Sequence, residues 1–304
     1  MRRMYGFLTF AVAIALAVCL AAPACANLNV RGAILYNMQS GKVLYAQDAD
    51  RRIAPASLTK IMTMYMVMDH IKAGKVKLKD QVKISALAAK QGGSRMRLRA
   101  GERVSLDKLM MGLAVSSGND AAMAVAEHVA GSQKAFVRLM NAKAKKLGMK
   151  NTVFLNPHGL PAKGQITTAR DMLILSQNYL KTHPKVMRYH RMKTLDHRGV
   201  TTYNKNPLLK DCPGADGLKT GWIQASGYNL ISTVKRGDTR LVGVVLGSAN
   251  SKVRAREMRS LVEAGFTALK GKGKKVSQVL ADRKGTKSTQ ATNKKKASGD
   301  SNAS

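Results

Sequence analysis

The chain has 304 residues, a formal net charge of +35 and three cysteines. Cys19 and Cys25 precede the expected cleavage site of a signal peptide, so the mature chain keeps only Cys212 and internal disulfides are excluded. Stability must therefore come from a hydrophobic core. About 240 residues lie between leader and tail, enough for one large domain or a domain with an inserted lobe.

The first 26 residues have the three regions of a secretory signal. Two arginines follow Met1, an apolar stretch covers residues 5–22, and Pro23-Ala24-Cys25-Ala26 ends in a small-x-small cleavage site. We therefore expect residues 1–26 to be a signal peptide and the mature, exported chain to begin near Asn27, in the periplasm or at the cell wall. An uncleaved membrane anchor is the alternative. No later stretch is apolar enough to span a bilayer.

Positive charge dominates both the body and the tail. Residues 270–304 carry ten Lys and Arg against two Asp, and their Lys, Ser, Thr, Gly, Asn and Ala composition predicts a basic, disordered tail. A strongly basic surface concentrates polyanions. For an exported chain, an anionic envelope polymer, a membrane surface or acidic wall peptides are better candidates than nucleic acid. The other interpretation is that the positive charge serves solubility and has no specific binding partner.

The body begins and ends in strands, with helices between. Alternating residues predict a hairpin from residues 30–36 and 42–46, and possible small strands at 82–84 and 96–98. Ser105, Asp120, Ser132 and Thr168 are predicted to begin four helices. A second hairpin over 193–203, three strands at 217–222, 228–234 and 241–246, and a helix over 253–269 follow. This order predicts a sheet assembled from both ends of the chain, with an all-α lobe inserted at about 75–170.

The first chemically suggestive pair is Ser57 and Lys60, which lie three residues apart where Pro55 favours the start of a helix. Residues three apart share a helix face, so the amine can reach the hydroxyl. The following residues 61–68 are apolar on nearly every side, which predicts a buried helix. Burial lowers the pKa of an amine, so a neutral Lys60 could activate Ser57. A serine at a helix start with a chance lysine is the structural alternative.

Three short motifs occur in order: Ser57-x-x-Lys60, Ser117-Gly118-Asn119 and Lys219-Thr220-Gly221. They resemble the S-x-x-K, S-D-N and K-T-G signature of penicillin-binding proteins and class A β-lactamases. Each motif alone is weak evidence. The ordered set is strong, because the first opens a buried helix, the second lies between helices and the third lies on a strand.

The neighbouring sequence narrows this resemblance to the D-alanyl-D-alanine carboxypeptidases, the low-molecular-weight penicillin-binding proteins of the S11 serine peptidase family. The matching segments are residues 117–122, 152–160, 167–171, 216–221 and 227–230, within a resemblance that covers roughly 27–269. It implies an α/β fold like that of β-lactamases and penicillin-binding proteins, with a mostly antiparallel sheet flanked by helices and the α lobe inserted. It also implies a catalytic domain at 27–269 and no cofactor.

The same resemblance implies a role for each motif residue. Ser57 is the expected nucleophile and Lys60 its base, Ser117 and Lys219 pass a proton to the departing amine, and Asn119 holds Lys60 and the substrate. The N–H groups of Ser57 and Trp222 are the expected oxyanion donors, beside Gly221. Thr220 and Arg254 match the positions that bind the substrate carboxylate, with Arg256 as an alternative. Trp222 replaces a smaller or polar residue, which is expected to alter the cleft wall.

The resemblance implies a DD-carboxypeptidase that removes terminal D-Ala from peptidoglycan stem peptides and is acylated by β-lactams. A DD-endopeptidase acting on peptidoglycan crosslinks, or a vestigial site in a wall-binding protein, are the alternatives. A β-lactamase is disfavoured, because no glutamate is followed at i+4 by asparagine to activate the deacylating water. The histidines show no metal spacing; His158 is expected to shape a loop and Cys212 to be passive.

Overall fold

The computed structural model describes residues 27–271 and 273–283. The expected signal peptide at 1–26 and residues 284–304 of the basic tail lie outside the described residues. Residues Leu28–Phe266 form one unit, and the described parts of Met1–Asn27 and Thr267–Ser304 belong to another. The functional candidates named above all lie in the unit Leu28–Phe266.

Short strands and helices alternate through the middle of the chain, and longer strands lie at its two ends. The strands are β1 Gly32–Asn37, β2 Lys42–Gln47, β3 Gln81–Lys83, β4 Arg103–Ser105, β5 Thr194–His197, β6 Val200–Tyr203, β7 Ala215–Ile223, β8 Gly227–Arg236 and β9 Thr239–Ser248. The helices up to Lys270 are α1 Thr59–Lys72, α2 Ala86–Ala89, α3 Leu106–Ala114, α4 Asn119–Ala130, α5 Gln133–Leu147, α6 Ala169–Thr182, α7 Met187–His190, α8 Leu208–Asp211 and α9 Ser251–Lys270. Single 3₁₀ turns occupy Ala56–Leu58 and Pro184–Val186.

The main sheet has five antiparallel strands in the order β2-β1-β9-β8-β7. Strand β1 pairs with β9 in a register that sets Ala33 opposite Val245 and Tyr36 opposite Val242. The N-terminal hairpin therefore joins the three C-terminal strands in one sheet, which confirms the prediction that both ends build it. Strand β7, which carries Lys219-Thr220-Gly221, is an edge strand, so one side of it is open to a ligand.

Polar caps define the helix starts of the inserted lobe and of α6. The hydroxyls of Ser105, Ser132 and Thr168 each accept a hydrogen bond from the amide three residues further on, as an N-cap does. Gly131 and Gly148 end α4 and α5 with positive φ angles of 74° and 80°. The lobe also contains the β3–β4 pair, so it is mostly helical rather than wholly helical.

Two local predictions in this lobe were wrong. Residues 96–98 form no strand, and the partner of β3 is β4 instead. Asp120 does not cap α4, because the N-cap is Gly118. The two errors have one cause: the buried Asp120 carboxylate accepts hydrogen bonds from the N–H groups of Met96 and Leu98, at 2.9 and 3.1 Å, and so replaces a strand partner for that segment.

The prediction of disorder after residue 270 was wrong for part of the tail. Residues 276–283 form a helix, in which Val276, Val279 and Leu280 are buried. Their i, i+3, i+4 spacing gives one apolar face, which the average composition of the tail concealed. No helix in the described part of the chain combines the length and the apolarity needed to cross a bilayer.

The contact between Asp120 and the 96–98 segment supports a first prediction. We expect Asp120→Ala to lower the free energy of unfolding by about 3 kcal/mol, because it leaves buried N–H groups without acceptors. Urea denaturation measures this change. Asp238→Ala, in the exposed turn between β8 and β9, is the matched control and should change stability by less than about 0.5 kcal/mol. Equal losses in the two variants would contradict the structural role of Asp120.

Candidate active site

Ser57 lies on a strained turn directly before α1. Ala56 has a positive φ of 49°, which is costly for a residue with a Cβ atom. Thr59 Oγ1 donates to the Ala56 carbonyl at 2.9 Å. Gly159 packs over the same carbonyl so closely that a Cβ atom on it would lie 1.8 Å from the oxygen. These contacts hold the turn and place Ser57 at the start of the buried helix.

Lys60 is fully buried one turn beyond Ser57. Its Nζ lies 3.0 Å from Ser57 Oγ, 2.7 Å from Asn119 Oδ1 and 2.6 Å from the His158 carbonyl oxygen. Burial lowers the pKa of this amine well below its usual range, and the positive charges of Lys219 and Lys205 lower it further, against an opposing effect of Asp120. These effects shift the amine towards its neutral form.

In the neutral form of Lys60, a count of protons fixes the direction of the lone pair; in the ammonium form Nζ would instead donate to Ser57 Oγ as well. Asn119 Nδ2 donates to the Gly92 carbonyl at 2.6 Å, which turns Oδ1 toward the amine. Asn119 Oδ1 and the His158 carbonyl accept hydrogen bonds but cannot donate them, so a neutral amine donates its two N–H groups to them. The lone pair is left for the Ser57 hydroxyl. In this form Ser57 donates to Lys60, which is the arrangement that a general base requires.

The loop of residues 156–160 is more important to the site than the sequence indicated. The Pro157 carbonyl accepts from Thr63 Oγ1 at 2.5 Å, and Asn156 Oδ1 accepts from the Gly159 amide at 2.7 Å. Burial, with the nearby Lys60, lowers the pKa of His158 to about 3, so the ring is neutral, and its Nδ1 accepts from the Leu160 amide. The His158 ring orders the loop, as expected, and the His158 backbone carbonyl accepts a hydrogen bond from Lys60.

Lys219 is a second buried amine, on the edge strand β7. Its Nζ donates to the Thr220 carbonyl at 2.9 Å. Burial lowers the pKa of Lys219 to about 7, assisted by the positive charges of Lys205 and Arg254. Sequence reasoning missed Lys205, whose Nζ donates to Ser94 Oγ at 2.8 Å. No motif surrounds it in the chain, and only the fold brings it to the site.

These groups surround one cavity of about 310 Å³. Six of the predicted residues line it: Ser57, Ser117, Thr220, Gly221, Trp222 and Arg254. Lys60 adjoins it through Ser57, Asn119 binds Lys60, and Lys219 directly precedes Thr220. Ser117 is buried with a positive φ of 58°, a second strained position at the cavity.

Strand β7 approaches the serine turn closely at Gly221. A Cβ atom there would lie 3.1 Å from the Ser57 nitrogen and 3.2 Å from the Ala56 Cβ. A Cβ atom would require the turn to shift by a few tenths of an ångström, so glycine favours this close approach. This approach brings the backbone of Ser57 and of the next strand residue, Trp222, to the same part of the cavity.

The structure distinguishes the two candidate arginines. Arg254 is buried in the cavity wall, and its Nε has no hydrogen-bond partner among the described residues. Burial lowers the pKa of Arg254 to about 10. Arg256 instead donates to Glu257 at 2.9 and 2.6 Å, and it does not line the cavity. Trp222 is 55% exposed and packs on Tyr228, with ring centroids 5.8 Å apart.

Comparison with known proteins places these residues in a family. The family model described as D-alanyl-D-alanine carboxypeptidase matches residues 19–250. The D-alanyl-D-alanine carboxypeptidase DacC of Escherichia coli is 42% identical over 247 residues, which cover 79% of this chain and 62% of the relative. A D-alanyl-D-alanine endopeptidase of Pseudomonas aeruginosa is 32% identical over 77% of each chain. The chain thus spans about three fifths of DacC.

Solved structures of related proteins have the same fold as this chain. The D-alanyl-D-alanine carboxypeptidase DacD of Francisella tularensis superposes with a TM-score of 0.78 at 34% identity, over 81% of this chain and 72% of that one. Penicillin-binding protein D2 of Listeria monocytogenes, solved with cefotaxime bound, gives a TM-score of 0.72 at 30% identity, over 79% of this chain and 98% of that one. The predicted fold class is confirmed by these matches.

The buried Lys219 amine makes stability depend on pH. Its pKa is about 7 in the folded chain and about 10.4 in an unfolded one, so between these values the unfolded state binds more protons and stability rises with pH. From pH 7 to 10 we expect the free energy of unfolding to rise by about 3 kcal/mol more in the wild type than in Lys219→Met. Urea denaturation across this range tests it. Exposed Lys235→Met should keep the wild-type slope, and equal slopes in wild type and Lys219→Met would contradict the assignment.

Proposed function

The chain belongs to the peptidase S11 family of D-alanyl-D-alanine carboxypeptidases, and from that premise we propose that it removes the terminal D-Ala from peptidoglycan pentapeptide stems through an acyl-enzyme. One observation carries the proposal: the buried amine of Lys60 keeps two acceptors and faces Ser57 Oγ at 3.0 Å, in the wall of a cavity. This pair is an activated nucleophile with its base in place.

In the acylation step, Ser57 Oγ attacks the carbonyl carbon between the two D-alanines and its proton passes to Lys60 Nζ. The tetrahedral intermediate collapses, the C–N bond breaks, and the amine of D-Ala leaves with a proton relayed by Ser117 and Lys219. Lys60 then passes the proton it took from Ser57 along the same relay to Lys219. Water attacks the ester and gives its proton to the neutral Lys60, and as the ester C–O bond breaks Lys60 returns that proton to Ser57 Oγ. A Lys219 amine with a pKa near 7 can serve as such a proton source at neutral pH.

The charge that develops on the carbonyl oxygen needs donors already in position. We assign this role to the backbone N–H groups of Ser57 and Trp222. The close approach of Gly221 to the Ser57 nitrogen supports the assignment, because it brings both backbones to one point. The Trp222 side chain does not alter a backbone donor.

The substrate ends in a free carboxylate, for which the cavity supplies a cation. We assign its binding to Arg254 and Thr220. Arg254 Nε is buried without a protein partner in the described part of the chain, and a bound carboxylate would satisfy it. A β-lactam also presents a strained amide and a carboxylate, so we propose that β-lactams acylate Ser57. The cefotaxime-bound relative supports this extension.

The proposed substrate belongs to the cell envelope, and the location follows from it. We propose an exported protein, periplasmic or associated with the cell wall, with a signal peptide at 1–26, the catalytic domain at 27–269 and the basic tail at 270–304. Peptidoglycan processing would give it a part in cell-wall organisation and cell shape. An anionic envelope polymer or membrane surface remains the proposed partner of the basic body and tail, on their charge alone.

Cleavage of peptidoglycan crosslinks is the second candidate activity. The same nucleophile and base would serve it, and the endopeptidase relative from Pseudomonas aeruginosa supports it. The two activities differ in the group on the leaving side of the cleaved bond. In a carboxypeptidase substrate this group is a terminal D-Ala with a free carboxylate, whereas in a crosslink it belongs to a second stem peptide. The buried Arg254, whose Nε has no hydrogen-bond partner among the described residues, favours the carboxypeptidase.

Removal of the nucleophile is the direct test of the proposed chemistry. We expect Ser57→Ala to abolish covalent labelling by a fluorescent penicillin and to lower D-Ala release by a factor on the order of 10⁵. Mass measurement of the wild-type adduct should locate it on the peptide that contains Ser57. An adduct on another peptide, or D-Ala release by the variant at the wild-type rate, would reject the mechanism.

Substitutions at Arg254 and Arg256 test which arginine binds the substrate carboxylate, with Arg256 as the matched control. We expect Arg254→Gln to lower kcat/KM for D-Ala release by about 10- to 100-fold, because a charge-assisted hydrogen bond is lost. Arg256→Gln, whose side chain pairs with Glu257, should change kcat/KM by less than about twofold. The reverse order of effects would transfer the role to Arg256.

A further inference from the structure

A second cavity, of about 630 Å³, lies on the other side of Trp222. Trp222 and Tyr228 line both cavities, so this aromatic pair is a shared wall between them. The second cavity is formed where β7 ends, β8 begins and β9 ends, from residues including Gln224, Gly247 and Ser248. None of its lining residues belongs to the three sequence motifs.

The order of residues along β7 relates this cavity to the substrate. Thr220 lies at the proposed carboxylate position and Gly221 against the Ser57 turn, and Trp222 and Gln224 follow towards the second cavity. Strand residues advance by about 3.3 Å each. A peptide whose cleaved D-Ala faces Thr220 and Arg254 therefore extends its upstream residues past Trp222, to the second cavity.

Two guanidinium groups make the second cavity positive. Arg31 and Arg51 line it, and neither forms an ion pair with the residues that the structure describes. Arg31 is held in place: its Nη1 donates to the Ala225 carbonyl at 2.9 Å, and its aliphatic stem lies against Gly247, where a Cβ atom would be 2.6 Å from the arginine Cβ. The arginine stem thus occupies the space of a side chain at Gly247.

An unsatisfied hydroxyl independently indicates a ligand. Ser248 also lines the cavity, and its side chain is 1% exposed. Its Oγ is buried and has no hydrogen-bond partner within the described residues. A buried polar group without a partner is costly, so a site that is completed by a ligand explains it.

We propose that this cavity is a subsite for a carboxylate on the acyl side of the substrate, so that the enzyme selects acidic stem peptides. Arg31 and Arg51 bind the carboxylate, Ser248 adds a hydroxyl, and Trp222 packs against the peptide between the two cavities. Guanidinium groups bind carboxylates with paired hydrogen bonds, which suits them to this role. The inference rests on the proposed function, because it assumes that the cleaved bond lies at Ser57.

The test compares two pentapeptides, L-Ala-γ-D-Glu-L-Lys-D-Ala-D-Ala with its glutamate α-carboxyl free and the same peptide with that carboxyl amidated. We expect wild-type kcat/KM for D-Ala release to favour the free acid by about tenfold. The Arg31→Gln/Arg51→Gln double variant should reduce this ratio to about one. Arg52→Gln, whose guanidinium binds Asn151 instead, should keep the wild-type ratio.

The ratio separates the subsite from general damage, because a misfolded or slower enzyme loses rate on both peptides alike. A wild-type ratio near one, or a double variant that keeps the preference, overturns the subsite. If the wild type releases D-Ala from neither peptide, the proposed function fails instead. Equilibrium binding of both peptides to Ser57→Ala then decides the subsite: a tenfold preference for the acid that needs Arg31 and Arg51 supports it, and equal affinities refute it.

Discussion

The burial of the Lys60 amine is the constraint on which the site depends. An amine at this depth is tolerable only if it is neutral or fully bonded, and the fold supplies acceptors from two distant segments, Asn119 and the His158 carbonyl. In the neutral amine, those acceptors use the two N–H groups and leave the lone pair to Ser57. The free-energy cost of burying the Lys60 amine and the reactivity of Ser57 therefore have the same origin.

The surrounding cations extend this effect. Lys205 and Arg254 lower the pKa of Lys219, and the charges of Lys219 and Lys205 lower that of Lys60. Such a cluster of positive charges is unfavourable in the free protein, and under the proposed function a substrate carboxylate would relieve it. Under the proposed mechanism, the bound carboxylate also raises the pKa of Lys219, since an opposite charge favours the ammonium. Substrate binding then keeps Lys219 protonated, so that Lys219 can supply the proton that the leaving amine needs.

Local patterns in the sequence predicted much of this structure. The alternating strands around β1 and β9, the caps at Ser105, Ser132 and Thr168, and the three motifs needed only local information. What could not be predicted depends on contacts between distant segments. Asp120 resembled a helix cap, but its carboxylate accepts hydrogen bonds from the backbone N–H groups of Met96 and Leu98. Lys205 is an ordinary loop lysine until the fold places it beside Ser94. In the tail, three apolar residues at helical spacing outweighed a disordered composition.

Four departures from local preference lie at or beside the cavity. Ala56 and Ser117 adopt positive φ angles although neither is glycine, and Lys60 and Lys219 are charged residue types in buried positions. Each is unfavourable by itself and persists because its neighbours hold it, as Gly159 and Thr59 hold Ala56. Stability alone would replace all four with residues that suit their surroundings. Their presence together around one hydroxyl is the physical argument that this cavity has been kept for chemistry.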